Sequence, residues 1–262
     1  MKKLKRYQYE RYAIFCQLAY PDAAEHYHRA LQPFHQRKLV DKYGRMGVRI
    51  LWTEKKKEVI VVFRGSLSFR DWLANLVFLP ARINHFDQKF FVHWGFSRLL
   101  NQPMYSSTKT VDDALPLREL LEKVLEPLRQ QGKRFTFTGH SSGGAVAVLM
   151  ADYFERKHTK AVKRVVTFGQ PAVGSRSWYK NYCLHRKTYR ICCDLDIVTF
   201  MPPFPFYFWH VGKMLWLHDD QIYENTPTHE RFLKSLHSWL LRPITYHYMR
   251  KYIRNKSLFD EH

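Results

Sequence analysis

Residues 135–150 read FTFTGHSSGGAVAVLM. A β-rich run meets Gly139, His140, Ser141, Ser142 and Gly143, and an Ala/Val/Leu/Met-rich run of helical character leaves at once. The stretch fits G-x-S-x-G, in which a serine sits on a sharp, strained turn between strand and helix. Glycines on both sides remove Cβ clashes and let the chain turn. Ser141 Oγ is then pushed out to solvent. The N–H groups that follow belong to a helix N-terminus, whose positive end favours a developing oxyanion. Chance alone supplies roughly 0.02 such matches in a chain of this size and glycine and serine content. An ordinary glycine-rich βα turn is the weaker reading.

A serine hydroxyl is a poor nucleophile until an imidazole takes its proton and a carboxylate orients that imidazole. With this turn the chain order is serine, then acid, then histidine. YRICCDLDIVTFMPP offers Asp194 and Asp196 just past an apolar run, and alternation does not choose between them. Two later histidines compete for the base. His237 lies in HERFLKSLHSWLL, toward the edge of a face formed by Phe232, Leu233, Leu236 and Leu240. A semi-buried helix histidine is the plainer reading there. His247 follows Pro243 near the start of the last helical pattern, where an exposed base is easier to present.

Acyl transfer also needs donors for the oxyanion. VIVVFRGSLSFRDW ends a strand at Gly65-Ser66. The amide and hydroxyl of Ser66 reach the nucleophile if this strand neighbours the one ending at Thr138. A simple N-cap for the next helix is compatible with that role. The next segment is amphipathic, with Phe69, Trp72, Leu73 and Leu76 on one face and Arg70, Asp71 and Asn75 opposite. Such a face is either core or a movable cover over a greasy site.

Around these residues the elements alternate. GVRILWTE and EVIVVFRG (47–65) read as a strand pair about the charged turn EKKKE. Residues 112–131 read as a long helix, with Leu117, Leu120, Leu121, Val124 and Leu128 at helical spacing. Strands are expected at 135–138, 164–168 and 189–193, and helices at 143–157 and from about 229 to 241. The N-terminal stretch reads as an amphipathic helix with Tyr9, Tyr12, Ala13 and Cys16 on one face. Strand-helix-strand alternation implies α/β layers around a largely parallel sheet. The chain has no repeats and no linker, so one domain over residues 1–262 is expected.

Composition sets the remaining bounds. At 45% apolar residues the 262-residue chain is globular and long enough for a substantial core. Four cysteines are too few for a disulfide scaffold and show no zinc-ligand spacing, so buried or partly buried thiols are expected. The N-terminus lacks the continuous apolar core of a signal peptide, and no uncharged run approaches a membrane span. The default expectation is cytoplasmic, with peripheral membrane contact. Lys and Arg number 43 against 23 Asp and Glu, a net charge of +20. That excess points to anionic partners. Nucleic acid, an anionic membrane surface and acidic proteins are the candidates, and no recognition motif accompanies the scattered basic residues. A generally cationic surface aiding solubility is the plainer reading. Contact with an anionic lipid surface is expected and nucleic acid is not.

The ordered blocks VVFRGS (61–66) with DW (71–72), VHWGF (92–96), TGHSSGGA (138–145), TFGQPAVG (167–174), DIVTFMPP (196–203), HVG (210–212) and H-x4-Y (247–252) resemble the class 3 lipases. These are the fungal-type triacylglycerol lipases and their bacterial relatives. The resemblance implies an α/β-hydrolase fold with a helical lid and hydrolysis of acylglycerol esters without metal or organic cofactor. Phospholipase A1 or lysophospholipase activity is the alternative within enzymes. A non-catalytic basic binding protein on a hydrolase scaffold is the alternative outside them. By resemblance, Ser141 is the nucleophile, Asp196 the catalytic acid and His247 the base. Ser66 and the amide of Ser142 form the oxyanion hole, and 67–78 is the lid carrying Phe69, Trp72, Leu73 and Leu76. The chain departs from the family at Ser142, where leucine is frequent, and at Thr199, where proline is usual. The fungal members are secreted and disulfide-bonded, and neither trait is expected of this chain.

Overall fold

The protein is described from a computed structural model, which covers residues 3–66, 79–85, 88–107, 114–202, 207–239 and 245–260. The expected lid residues Phe69, Trp72, Leu73 and Leu76 lie outside the described residues. In chain order the strands are β1 (His35–Val40), β2 (Met46–Trp52), β3 (Glu58–Phe63), β4 (Pro80–His85), β5 (Gln88–His93), β6 (Pro103–Ser106), β7 (Leu115–Pro116), β8 (Arg134–His140), β9 (Val162–Phe168), β10 (Thr188–Cys193), β11 (Lys213–His218) and β12 (Gln221–Glu224). The α-helices are α1 (Arg6–Gln17), α2 (Trp94–Leu100), α3 (Leu117–Gln130), α4 (Ser142–Lys157), α5 (Arg176–Asn181), α6 (Thr228–Trp239) and α7 (Met249–Arg254).

Among the described residues ten strands form one sheet in the order β12-β11-β10-β9-β8-β3-β2-β1-β6-β7, and β4 and β5 form a separate hairpin. The central strands β3, β8, β9, β10 and β11 run parallel. Both flanks are antiparallel. The apolar run of β3, buried from Val59 to Phe63, is what a strand covered on both faces requires. Pairing of Phe63 with Gly139, His140 with Phe168, and Phe168 with Ile191 puts the carboxyl ends of β3, β8, β9 and β10 side by side. The loops carrying Ser66, Ser141, Gly169 and Asp196 therefore leave from one edge, where open α/β sheets bind ligands.

One face of the sheet is covered by α2, α3 and α4, and α4 is buried from Ser142 through Ala151. The other face is covered by α1 and α7. Tyr9, Tyr12, Ala13, Phe15 and Cys16 of α1 share that core with Met249, Tyr252 and Ile253 of α7. The helix expected over 112–131 begins only at Leu117. Leu115–Pro116 instead pair with β6, and the ring of Pro116 holds it extended as the N-cap. Its apolar face is as spaced: Leu117, Leu120, Leu121, Val124 and Leu128 are all buried. All four cysteines are free. Cys16, Cys192 and Cys193 are buried, whereas Cys183 is exposed with its thiol against Asp152. Among the described residues no helix is long and apolar enough to cross a membrane.

Candidate active site

Ser141 lies between β8 and α4 with φ 58° and ψ −133°, a strained conformation for a residue with a Cβ. Its N–H donates to the Phe168 carbonyl at 2.9 Å, which ties the turn to β9. Gly143 passes so close to β3 that a Cβ there would sit 2.5 Å from the Phe63 carbonyl oxygen. The turn therefore needs glycine at that position. Contrary to the sequence expectation, Ser141 is not pushed into solvent, being only 5% exposed. The loop after β3 covers it, with Gly65 close enough that a Cβ there would lie 3.1 Å from Ser141 Cβ.

The two candidate acids go to different histidines. Asp196 follows β10 and caps the 3₁₀ turn Ile197–Phe200, accepting the Val198 N–H at 3.0 Å. Nδ1 of His247 lies 2.9 and 3.0 Å from its two carboxylate oxygens. The Tyr252 hydroxyl donates to Oδ2 of the same carboxylate. Burial by itself would raise the Asp196 pKa, but His247 and the hydrogen bonds from His247 and Tyr252 outweigh it and hold the group below its ordinary value. Donation of Nδ1–H to a carboxylate leaves the lone pair of His247 on Nε2, the tautomer a general base needs. Asp194, with φ 39°, instead meets Nδ1 of His218 at 3.0 Å. Burial raises its pKa, against the pull of His218. His247 lies in the 3₁₀ turn Thr245–His247 and is buried, not exposed as expected, with its ring between the Asp196 carboxylate and the His140 ring. His237 falls within α6.

Three neighbours went unread in the sequence. Tyr252 is five residues beyond His247, and the spacing was visible although its contact with Asp196 was not. His140 binds the backbone behind the candidate base: its Nε2 lies 2.7 Å from the His247 carbonyl, so Nε2 carries the proton. Its Nδ1 accepts from the Tyr20 hydroxyl at 2.7 Å. The His140 and His247 rings are 4.4 Å apart. Burial, reinforced by His247, pushes His140 down to about 3. Nothing local could link Tyr20 to a histidine 120 positions away.

Ser66 and Ser142 also meet. The Ser66 N–H donates to Ser142 Oγ at 3.0 Å, and the two hydroxyls are 3.2 Å apart. Both line a pocket of about 130 Å³, with Arg64, Met104, Leu117 and Val146 in its wall. Among the described residues no group of three or more His, Cys, Asp or Glu could hold a metal ion.

A family model described as "Lipase (class 3)" matches residues 60–206, more than half of the chain. The chain belongs to the class 3 lipase family. The match holds Ser66, Ser141, Ser142 and Asp196, whereas His247 and Tyr252 lie beyond it. The chain is 31% identical over 176 residues to "Lipase" of Rhizomucor miehei, a stretch covering 64% of this chain and 44% of that protein. It is 29% identical over 160 residues to "Phospholipase A(1) DAD1, chloroplastic" of Arabidopsis thaliana, covering 56% of this chain and 34% of that protein. The matches thus span less than half the length of these two relatives. The solved Rhizomucor miehei triacylglyceride lipase superposes with a TM-score of 0.65 at 25% identity, over 82% of this chain and 80% of that one. A triacylglycerol lipase whose catalytic centre is described as a serine protease triad superposes with a TM-score of 0.67 at 25% identity, over 92% and 90%. The fold of this class 3 family member is therefore that of the α/β-hydrolases.

Proposed function

We propose that the chain is a single-domain serine ester hydrolase that cleaves fatty-acyl esters of lipids, acylglycerols first among them. The observation that carries this reading is the buried Asp196–His247 pair, lodged against His140 immediately before the strained Ser141 turn. Nε2 of His247 takes the proton of Ser141 Oγ as the oxygen attacks the ester carbonyl carbon. The tetrahedral oxyanion is held by the N–H groups of Ser66 and Ser142. Because Ser142 Oγ accepts the Ser66 N–H in the structure, that hydroxyl turns aside as the oxyanion forms. The imidazolium, stabilised by Asp196, then gives its proton to the leaving alcohol, and an acyl group remains on Ser141. Water activated by the same imidazole releases the fatty acid and restores the serine.

The phospholipase A(1) among the relatives supports a second reading, with a phospholipid in place of an acylglycerol. The catalytic steps are the same, and only the group beyond the ester differs. In either case the segment 67–78 acts as a lid, and the cationic surface favours peripheral contact with anionic lipid.

Two measurements test the proposal. Ser141→Ala should leave the protein folded and abolish hydrolysis of a short p-nitrophenyl ester, with about 10³-fold acceleration over water surviving from the rest of the site. A fluorophosphonate probe should label the wild type at Ser141 and not the variant. Wild-type turnover by folded Ser141→Ala would sink the hydrolase reading.

A further inference from the structure

A second cluster of charged side chains lies away from Ser141, on the sheet face next to α6. Arg190 of β10 is the register partner of Met214 on β11. Arg231 of α6 reaches the same place, with its Nη1 donating to Met214 Sδ at 3.4 Å and its Nη2 donating to Thr199 Oγ at 2.6 Å. His210 closes the third side, because its Nε2 lies 3.0 Å from the carbonyl of the same Thr199. Only 1% of Arg231 and 7% of Arg190 is exposed, while His210 is the half-buried edge of the cluster.

Two buried guanidinium groups without a counter-ion are unusual, since buried charges are normally paired. Among the described residues neither arginine forms an ion pair with a carboxylate, and the hydrogen bond of Arg190 is a 3.5 Å contact from Nη1 to Cys192 Sγ. Nε of Arg190, Nε of Arg231 and Nδ1 of His210 are buried without a hydrogen-bond partner. The Phe200 and Trp216 rings lie 4.5 and 5.7 Å from the Arg231 guanidinium carbon. Rings satisfy the face of a guanidinium, but its N–H groups radiate in the plane and need acceptors there. The histidine adds a second requirement. Its Nε2 faces a carbonyl, which only accepts, so Nε2 carries the proton and Nδ1 keeps a lone pair. Burial and the two neighbouring arginines depress the His210 pKa well below its ordinary value, which keeps the ring in that neutral form. The cluster thus offers cationic donors on two sides and one acceptor on the third.

We propose that Arg190, Arg231 and His210 form a binding site for a small oxyanion of the phosphate class, one that carries ionised oxygens and a hydroxyl together. The ionised oxygens accept from the two guanidinium groups, and the P–O–H donates to Nδ1 of His210. Sulfate is fully ionised at neutral pH and would set an oxygen lone pair against that nitrogen. The site is therefore selective for phosphate over sulfate. Inorganic phosphate and a phosphate monoester share this chemistry, and His210, the least buried of the three residues, forms the outer edge of the site.

The test is thermal unfolding of the full chain at pH 7, with ionic strength held constant by sodium chloride as phosphate, sulfate or glycerol phosphate replaces it. Phosphate should raise Tm saturably, by about 5 °C at a hundred times Kd, and sulfate by less than half as much. Glycerol phosphate separates the sources. A rise matching that of phosphate assigns the site to phosphate monoesters, no rise assigns it to the free ion, and each supports the site. Arg231→Met should abolish the response, while Lys55→Gln/Lys56→Gln on the exposed β2–β3 turn should keep it. Should Arg231→Met fail to fold, His210→Phe at the cluster edge decides, and it should erase the preference for phosphate over sulfate. Equal stabilisation by phosphate and sulfate in the wild type, or an undiminished phosphate response in Arg231→Met or His210→Phe, would overturn the site and assign the effect to the cationic surface.

Discussion

The Asp196–His247 pair has no slack on the side of Gly169, and substitution there measures how much depends on it. Gly169 follows β9 with φ 57°, a left-handed conformation in which a side chain costs about 1 kcal/mol. A Cβ at this position would lie 2.6 Å from Asp196 Oδ2 and 2.9 Å from both Cε1 and Nδ1 of His247. Ordinary contact begins at 3.4 Å, so the carboxylate must retreat by 3.4 − 2.6 = 0.8 Å. Its bonds to His247 are 2.9 and 3.0 Å and its other partners are the Val198 N–H and Tyr252, so a retreat of that size breaks one of them. Losing a hydrogen bond to a buried charge costs about 1.5–3 kcal/mol. A displacement near 1 Å of a positioned catalytic group costs about 10²-fold in rate. Gly169→Ala should therefore lower kcat/KM for a short p-nitrophenyl ester by about two orders of magnitude. Its Tm should fall by about 5–15 °C, from strain and the lost bond together. Gly132→Ala is the control: φ there is 74°, but nothing lies within 4 Å of the added Cβ. It should pay the strain alone, about 2–4 °C in Tm, and keep its activity. If Gly169→Ala hydrolyses the ester as fast as Gly132→Ala does, the carboxylate and imidazole beside Gly169 are not the reacting pair.

Other expectations follow from the same contacts. Asp196→Asn and His247→Ala should each lower kcat by orders of magnitude, whereas Asp194→Asn should not, because its carboxylate serves His218. A folded, inactive Asp194→Asn alongside an active Asp196→Asn would reverse the assignment of the acid. His140 makes stability depend on pH. Above pH 6.5 its ring is neutral in both folded and unfolded chains; between pH 6.5 and about 3 only the unfolded chain binds the proton, so stability falls as pH falls. The buried His93, pushed down by burial to about 4, acts in the same direction. His140→Gln should flatten denaturant-derived stability over that window by about one proton, and an unchanged slope would remove His140 as its source. On vesicles, the net charge of +20 should give tighter binding and faster fatty-acid release with anionic than with zwitterionic lipid. That advantage should shrink with salt, since screening acts within about 8 Å at physiological ionic strength; equal binding at low salt would assign the charge another partner.

Much of the molecule was legible in the chain because local patterns carry it. Period-two and continuous apolar runs marked β2, β3, β8, β9 and β10, and 3.6-residue spacing marked α1, α3, α4 and α6. The glycines around Ser141 announced a sharp turn, since few residues tolerate it. The ordered motif blocks carried family membership and named Ser66, Ser141, Asp196 and His247 as expectations. Spacing alone left Asp194 and Asp196 equal, as both follow the same apolar run. They were separated by the backbone after β10, where the 3₁₀ turn Ile197–Phe200 brings Asp196 to His247 while Asp194 turns to His218 on β11. The burial of Ser141 and His247 was equally beyond the chain, because Ser141 lies under the Gly65 loop and His247 packs against Asp196 and the His140 ring, all of them distant in sequence. Tyr20 on His140, Tyr252 on Asp196, and Arg190 beside Arg231 join distant parts of the chain. A sequence pattern reports the face a residue presents within its own element, while a contact between elements exists only once the sheet has set their order and register.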